Sequence, residues 1–228
     1  MYTMYIERVI SKTKFQKPKG SSKMSNVIET VVYDVKDLKK NEELKELVIE
    51  KNYDLNVDND WWSESTLETW KDILSTMGFY DSCIMFSGFC SQGDGACFTT
   101  DFYSYEKGFI TKLKTKFPKW NELHEVAKSL QKAYQKTKYQ AYGKITHSGM
   151  YYHEMSTNIK VLQDFKEYGE GWVKEEIATL FEDVLVDINK LIYKHLQEDY
   201  EYLTSEEAIM ETIESNDYTF DEDGKLVG

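Results

Sequence analysis

The sequence predicts an α+β fold in which an antiparallel sheet, built from two β-hairpins, is covered by several helices, one of them long and C-terminal. Three observations carry this. The stretch from Cys83 to Tyr103, C-I-M-F-S-G-F-C-S-Q-G-D-G-A-C-F-T-T-D-F-Y, sets two aromatic-rich apolar runs around Gln92-Gly93-Asp94-Gly95, the pattern of a buried hairpin. A second pair of β-prone runs, Gln140 to Ser148 and Met150 to Leu162, flanks Ser148-Gly149. From near Gly171 to about Tyr202, Ile177, Phe181, Val184, Ile188, Leu191, Ile192 and Leu196 recur at three and four, a stripe wide enough to lie across a sheet.

Composition supports an ordered globular chain. Its 228 residues suffice for one well-buried domain, and 17 Tyr, 11 Phe and 5 Trp supply core material, although mean hydropathy is −0.59. Two prolines and 12 glycines argue against long disordered linkers. No apolar run reaches the ~18 residues of a membrane span, and the N-terminus lacks the apolar core of a signal peptide. Three cysteines, an odd number, do not make a secreted disulfide framework and point to a reducing cytoplasm with free thiols. Their spacing, at 83, 90 and 97, is not that of a zinc knuckle.

Taken in order, residues 1–23 read as a basic N-terminal arm, and residues 24–228 as a single α+β domain ending in the acidic segment 197–228. Val27 to Tyr33 has the β-branched content of a strand, and Asp37 to Lys51 the apolar spacing of an amphipathic helix. A polar loop, 52–60, precedes Trp61-Trp62. A helix then follows with Ser63 or Ser65 as N-cap, Glu68 as capping-box partner and Gly78 as its stop. In the central hairpin, 82–91 pairs with 95–104. If Gly93-Asp94 form a type II′ turn, Cys90 lies opposite Cys97; if Asp94-Gly95 form a type I′ turn, the cysteines do not face each other. Gly88 within the first strand signals a bulge or a close approach. Helices over Glu106 to Phe117 and Trp120 to Tyr139 are divided by Pro118, and 140–148 then pairs with 151–161 around a loop of two or three residues. Beyond the long helix, Thr204 or Ser205 caps a further helix through Ile213, and Tyr218-Thr219-Phe220 reads as a last short strand.

The sequence holds no Walker loop, dinucleotide fingerprint or G-x-S-x-G elbow. The best catalytic set it offers is Cys90 or Cys97 with His147 or His153, which amounts to no catalytic assignment, and neither a metal nor a cofactor is implied. Two binding surfaces stand out. One is the hairpin turn, where the amides of Gly93 and Gly95, with the side chains of Ser87, Ser91, Gln92 and Asp94, can meet an anionic small molecule such as a nucleotide. The other is the acidic segment, with Glu198, Asp199, Glu206, Glu207, Glu211 and Glu214 in a stretch without Lys or Arg that imitates phosphate charge. The net charge is −12; the arm holds six of the 28 bases and one of the 40 acids, which leaves 22 against 39 in the body. Such a body repels nucleic acid and suits a basic protein surface.

The segments F-S-G-F-C-S-Q-G-D-G-A-C-F and W-W-S-E-S-T-L-E-T-W, with L-T-S-E-E-A-I-M-E-T-I-E-S-N-D-Y-T-F-D-E-D-G-K-L near the C-terminus, resemble a group of small proteins of tailed phages and prophages. The resemblance implies a phage accessory protein and transfers no site residues. Joined to the acidic segment, it leads to the expectation of an anti-defence inhibitor that occupies a basic site on a host or defence protein handling nucleic acid. The alternative is a binder that sequesters a nucleotide at the Gly-rich hairpin.

Overall fold

The computed structural model describes residues 31–165 and 169–227, which form two compact units, 31–59 with 201–227 and 60–200. The 1–23 arm and most of the Val27–Tyr33 strand expectation lie outside the described residues.

The first unit holds helices α1 (Val35–Leu38), α2 (Glu42–Lys51) and α7 (Glu206–Ser215). The single helix expected over 37–51 is broken because Asn41 caps α2, its side chain accepting from the Leu44 amide at 3.3 Å. Leu38, Leu44, Val48, Ile209, Ile213 and Phe220 form its core. The last strand expected at 218–220 is reduced to isolated bridges from Phe220 to Tyr33 and Leu226. Gly224, at φ +77°, lies against Leu47, where a β-carbon would come within 3.2 Å of the Leu47 carbonyl oxygen.

The second unit is a sheet with helices on its inner face. Its strands, β1 (Phe79–Phe86), β2 (Ala96–Tyr103), β3 (Ala141–His147), β4 (Thr157–Phe165) and β5 (Gly169–Trp172), run antiparallel in chain order. Helix α3 (Glu64–Met77) precedes β1. Helices α4 (Phe109–Lys116) and α5 (Asn121–Lys136) connect β2 to β3, and α6 (Glu175–Leu203) follows β5. Period-two alternation in β2 turns Phe98, Thr100 and Phe102 inward and Thr99, Asp101 and Tyr103 outward. The inward set meets Trp70, Ile73, Leu74 and Met77 of α3, Leu130 and Tyr134 of α5, and the apolar stripe of α6 in one core. Phe181 of α6 sits 5.6 Å from the Phe102 ring and 6.0 Å from that of Tyr134.

Helix α3 ends at Gly78 as expected, in the left-handed region at φ +99°. Its start differs. A 3-10 turn, Asp60–Ser63, leads into it with Ser63 at the N-cap, so Ser65 lies inside the helix, its carbonyl accepting from the Thr69 hydroxyl, and no Ser65–Glu68 capping box forms. Both hairpins exist, but neither expected turn does. Met85 faces Cys97 and Phe86 faces Ala96, which leaves 87–95 as a long loop with Cys90 in it. His147 pairs with Thr157, which leaves 148–156 as another, with His153 in it. The bulge lies at Tyr80/Cys83, where Asp81 takes φ +50°, and Gly88 is a loop residue. The stretch expected to begin the long helix at Gly171 belongs to β5 instead, and α6 starts at Glu175.

Candidate functional site

The two long loops meet at one end of the sheet, and each is built by its own side chains. In 87–95, the Asp94 carboxylate accepts from the Cys90 amide at 3.0 Å and the Ser91 amide at 2.6 Å, while the Asp94 amide donates to the Ser91 carbonyl at 3.1 Å. Ser87 closes the base: its amide donates to the Gly95 carbonyl at 3.0 Å, its hydroxyl accepts from the Gly95 amide and donates to the Tyr152 carbonyl, each at 3.3 Å. Phe89 is drawn inward among aromatic rings, with Tyr200 at 4.8 Å, Tyr193 at 5.4 Å and Trp62 at 6.0 Å. The Tyr193 hydroxyl holds the Gly88 carbonyl at 3.1 Å. A two-residue turn cannot reach these partners, which is why the loop is long.

In 148–156, the Ser148 amide donates to the Ser156 carbonyl at 2.7 Å, and Ser156 and His153 bond each other through hydroxyl, amide and carbonyl at 2.6 to 3.0 Å. Asn189, fully buried on α6, donates to the Glu154 carbonyl at 3.2 Å. His147 contacts the Tyr151 carbonyl at 3.1 Å through Nε2. With the backbone fixed in this way, the loop holds outward four large apolar side chains, Met150, Tyr151, Tyr152 and Met155, at 87%, 64%, 39% and 70% exposure. Sequence reasoning placed these residues on a strand. The signal it passed over was the run G-M-Y-Y-H-E-M, apolar without clean alternation beside a turn glycine.

The hairpin residues expected to bind a ligand are brought together, yet their polar groups serve the loop. Asp94 occupies the amides of Cys90 and Ser91, Ser87 is engaged with Gly95 and Tyr152, and Gln92 is exposed. The Cys–His set is only partly assembled. Cys97 is buried beside Ser156 and the His153 backbone, and burial pushes its thiol up, away from thiolate. The His153 ring accepts the Met155 amide on Nδ1 at 3.2 Å and faces the Glu154 carboxylate with Nε2 at 3.1 Å. Cys90 and Cys83 are exposed.

The six carboxylates of the acidic segment divide between the units. In the second, Asp199 accepts from the Thr66 hydroxyl and Glu198 lies 3.9 Å from Lys194, itself bonded to Glu122 at 2.8 Å. In the first, Glu206 pairs with Lys45, which also binds Glu42 at 3.0 Å, and Glu214 pairs with Lys39 at 2.9 Å. The two carboxylates, Glu206 first, raise the Lys45 ammonium above its ordinary range. Glu207 and Glu211 are exposed, and among the described residues they carry no ion pair. The α7 surface is therefore half neutralised by this chain's own lysines.

The outer face of the sheet carries a ladder of large side chains across four strands. Tyr103 faces Tyr142, Tyr142 faces Leu162 and Leu162 faces Trp172. Beside it run Asp101, Lys144 and Lys160, with Lys144 3.6 Å from Asp101. No helix among the described residues is long and apolar enough to cross a membrane.

A profile described as a domain of unknown function, DUF8835, matches residues 62–206, which takes in the whole sheet, both long loops and α3 to α6. No curated protein and no solved structure matches the chain. Because the match spans well over half of the 228 residues, the chain belongs to the DUF8835 family.

Proposed function

We propose that the chain is an accessory binding protein that engages a protein partner through the apolar crown of loop 148–156. The observation that supports this is the exposure of Met150, Tyr151, Tyr152 and Met155 on a loop whose backbone is tied at both ends, since large apolar side chains held outward in one place mark interaction surfaces. A loop ordered in advance loses little entropy on docking. The net charge of −12 favours a basic partner surface and speeds encounter with it. The resemblance to tailed-phage proteins supports a host or defence protein as that partner, with inhibition as the outcome.

The test uses full-length protein as bait in host extract, beside a Met150→Ser/Tyr151→Ser/Met155→Ser variant, followed by calorimetric titration of the captured, purified partner. The variant is expected to keep its melting temperature and lose affinity at least a hundredfold. Equal affinity of the two proteins would remove the crown from the interface.

A further inference from the structure

At the opposite end of the sheet's outer face from the loop crown, β4 and β5 place two carboxylates side by side. Asp164 and Glu170 are direct cross-strand partners, both exposed, one row beyond the Leu162–Trp172 pair. Like charges in that position repel, so the sheet is destabilised there unless a cation lies between them. Neither is in an ion pair among the described residues. Trp172, next in the ladder, is 66% exposed, although indole is the side chain with the largest apolar area to lose from water. The Glu170 carboxylate also reaches Tyr142, two strands away, whose hydroxyl donates to it and whose ionisation it thereby pushes up to about 12. From Tyr103 to Trp172 the ladder runs roughly 14 Å at the usual strand spacing, and Tyr105 extends it by stacking on Tyr103 at 5.9 Å.

We propose that this face docks an arginine-bearing, basic segment of a partner protein: the guanidinium lies over the Trp172 indole with its N–H groups on Asp164 and Glu170, and the segment's apolar residues follow Leu162, Tyr142 and Tyr103. An aromatic face beside carboxylates meets both needs of a guanidinium, stacking and charge-assisted hydrogen bonding, which an ammonium satisfies less well. Among the described residues the lysines on this face leave that end acidic: Lys144 is held by Asp101, and Lys160 lies in the row on the far side of the ladder from Asp164 and Glu170. The assignment rests on the reading of the chain as a protein-binding module and adds a second, chemically distinct surface to it.

The test uses the full chain and a short synthetic peptide with two arginines among Gly, Ala and Val, beside the same peptide with citrulline, which keeps the shape and removes the charge. Heteronuclear NMR follows the Trp172 indole and the amides of Leu162, Asp164 and Glu170. Saturable shifts at these positions are expected, weakened at least tenfold by citrulline, by Asp164→Asn/Glu170→Gln and by Trp172→Ala. The crown variant should bind the peptide unchanged. Equal binding of the citrulline peptide, or no shift at Trp172, would overturn the proposal. So would a wild-type dimer dispersed by Trp172→Ala in sedimentation equilibrium, which would assign the face to a second copy. The arginine–citrulline comparison needs no variant, so misfolding cannot blur it. Failure here while the crown variant still loses its protein partner would fell this surface alone.

Discussion

Gly95 lies so close to His153 that a β-carbon on Gly95 would fall 2.9 Å from the His153 α-carbon and 3.1 Å from the Tyr152 carbonyl oxygen. The two long loops are therefore in backbone contact, and the glycine is what permits it. Gly95→Ala should cost about 1–3 kcal/mol, as overpacking does where backbone must shift. It should also push the crown out of place. Chemical denaturation reads the first effect and partner affinity the second; an unchanged midpoint would mean that the loops are not clasped at this point.

The cysteines offer a direct check on loop and strand placement. With Cys83 and Cys90 exposed and Cys97 buried under His153 and Ser156, a thiol reagent at pH 8 should modify two groups quickly in the folded protein and the third only slowly. Unfolding should bring the count to three at once. Burial also keeps Cys97 protonated, so its slowness should persist at pH values where the exposed thiols react faster.

Tyr134 gives the alkaline limit of stability. Its hydroxyl donates to the Met77 carbonyl at 2.8 Å inside the core, and burial raises its ionisation far above the ordinary phenol range. The unfolded chain loses this proton near pH 10. The contribution is therefore intact below about pH 10 and falls as pH rises beyond it, by about 1.4 kcal/mol per pH unit for one group. Tyr134→Phe should cost about 1 kcal/mol at neutral pH and flatten that decline between pH 10 and 11. A slope identical to wild type would show that other tyrosines dominate.

Replacing Glu206, Glu207, Glu211 and Glu214 by Gln tests the acidic helix. Glu206 and Glu214 pair with Lys45 and Lys39 at the surface, where such pairs are worth about 0–1 kcal/mol each, so the melting temperature should move little. Partner association at low salt should slow, because four carboxylates leave a body already short of bases. If salt dependence and rate both stayed as in wild type, the acidic helix would have no part in the encounter.

Much of the fold was legible because its signals are local. Helix α3 ends where Gly78 offers a left-handed residue, and α6 declares itself by periodicity alone. The loops were not legible, because their lengths depend on distant partners. Gly93-Asp94 has the composition of a tight turn, and only the reach of Phe89 to Tyr193 and Tyr200 forbids one. Met150, Tyr151 and Tyr152 have the β-propensity of strand residues; what makes them a loop is Ser148 bonding to Ser156. Strand β5 escaped for the opposite reason. Gly-Glu-Gly-Trp is poor strand sequence, and its pairing comes from β4.

The strand order of the sheet repeats the order of the chain, and this bears on how the protein emerges from the ribosome. Each strand finds its neighbour already made, so pairing can proceed as the chain lengthens, without waiting for a distant segment. The exception is α6, which packs its apolar stripe onto the core only after Trp172 has passed. Until then part of the inner face remains uncovered. A nascent or truncated chain ending between β5 and Ile192 should be the species that chaperones hold and that aggregates when they are absent.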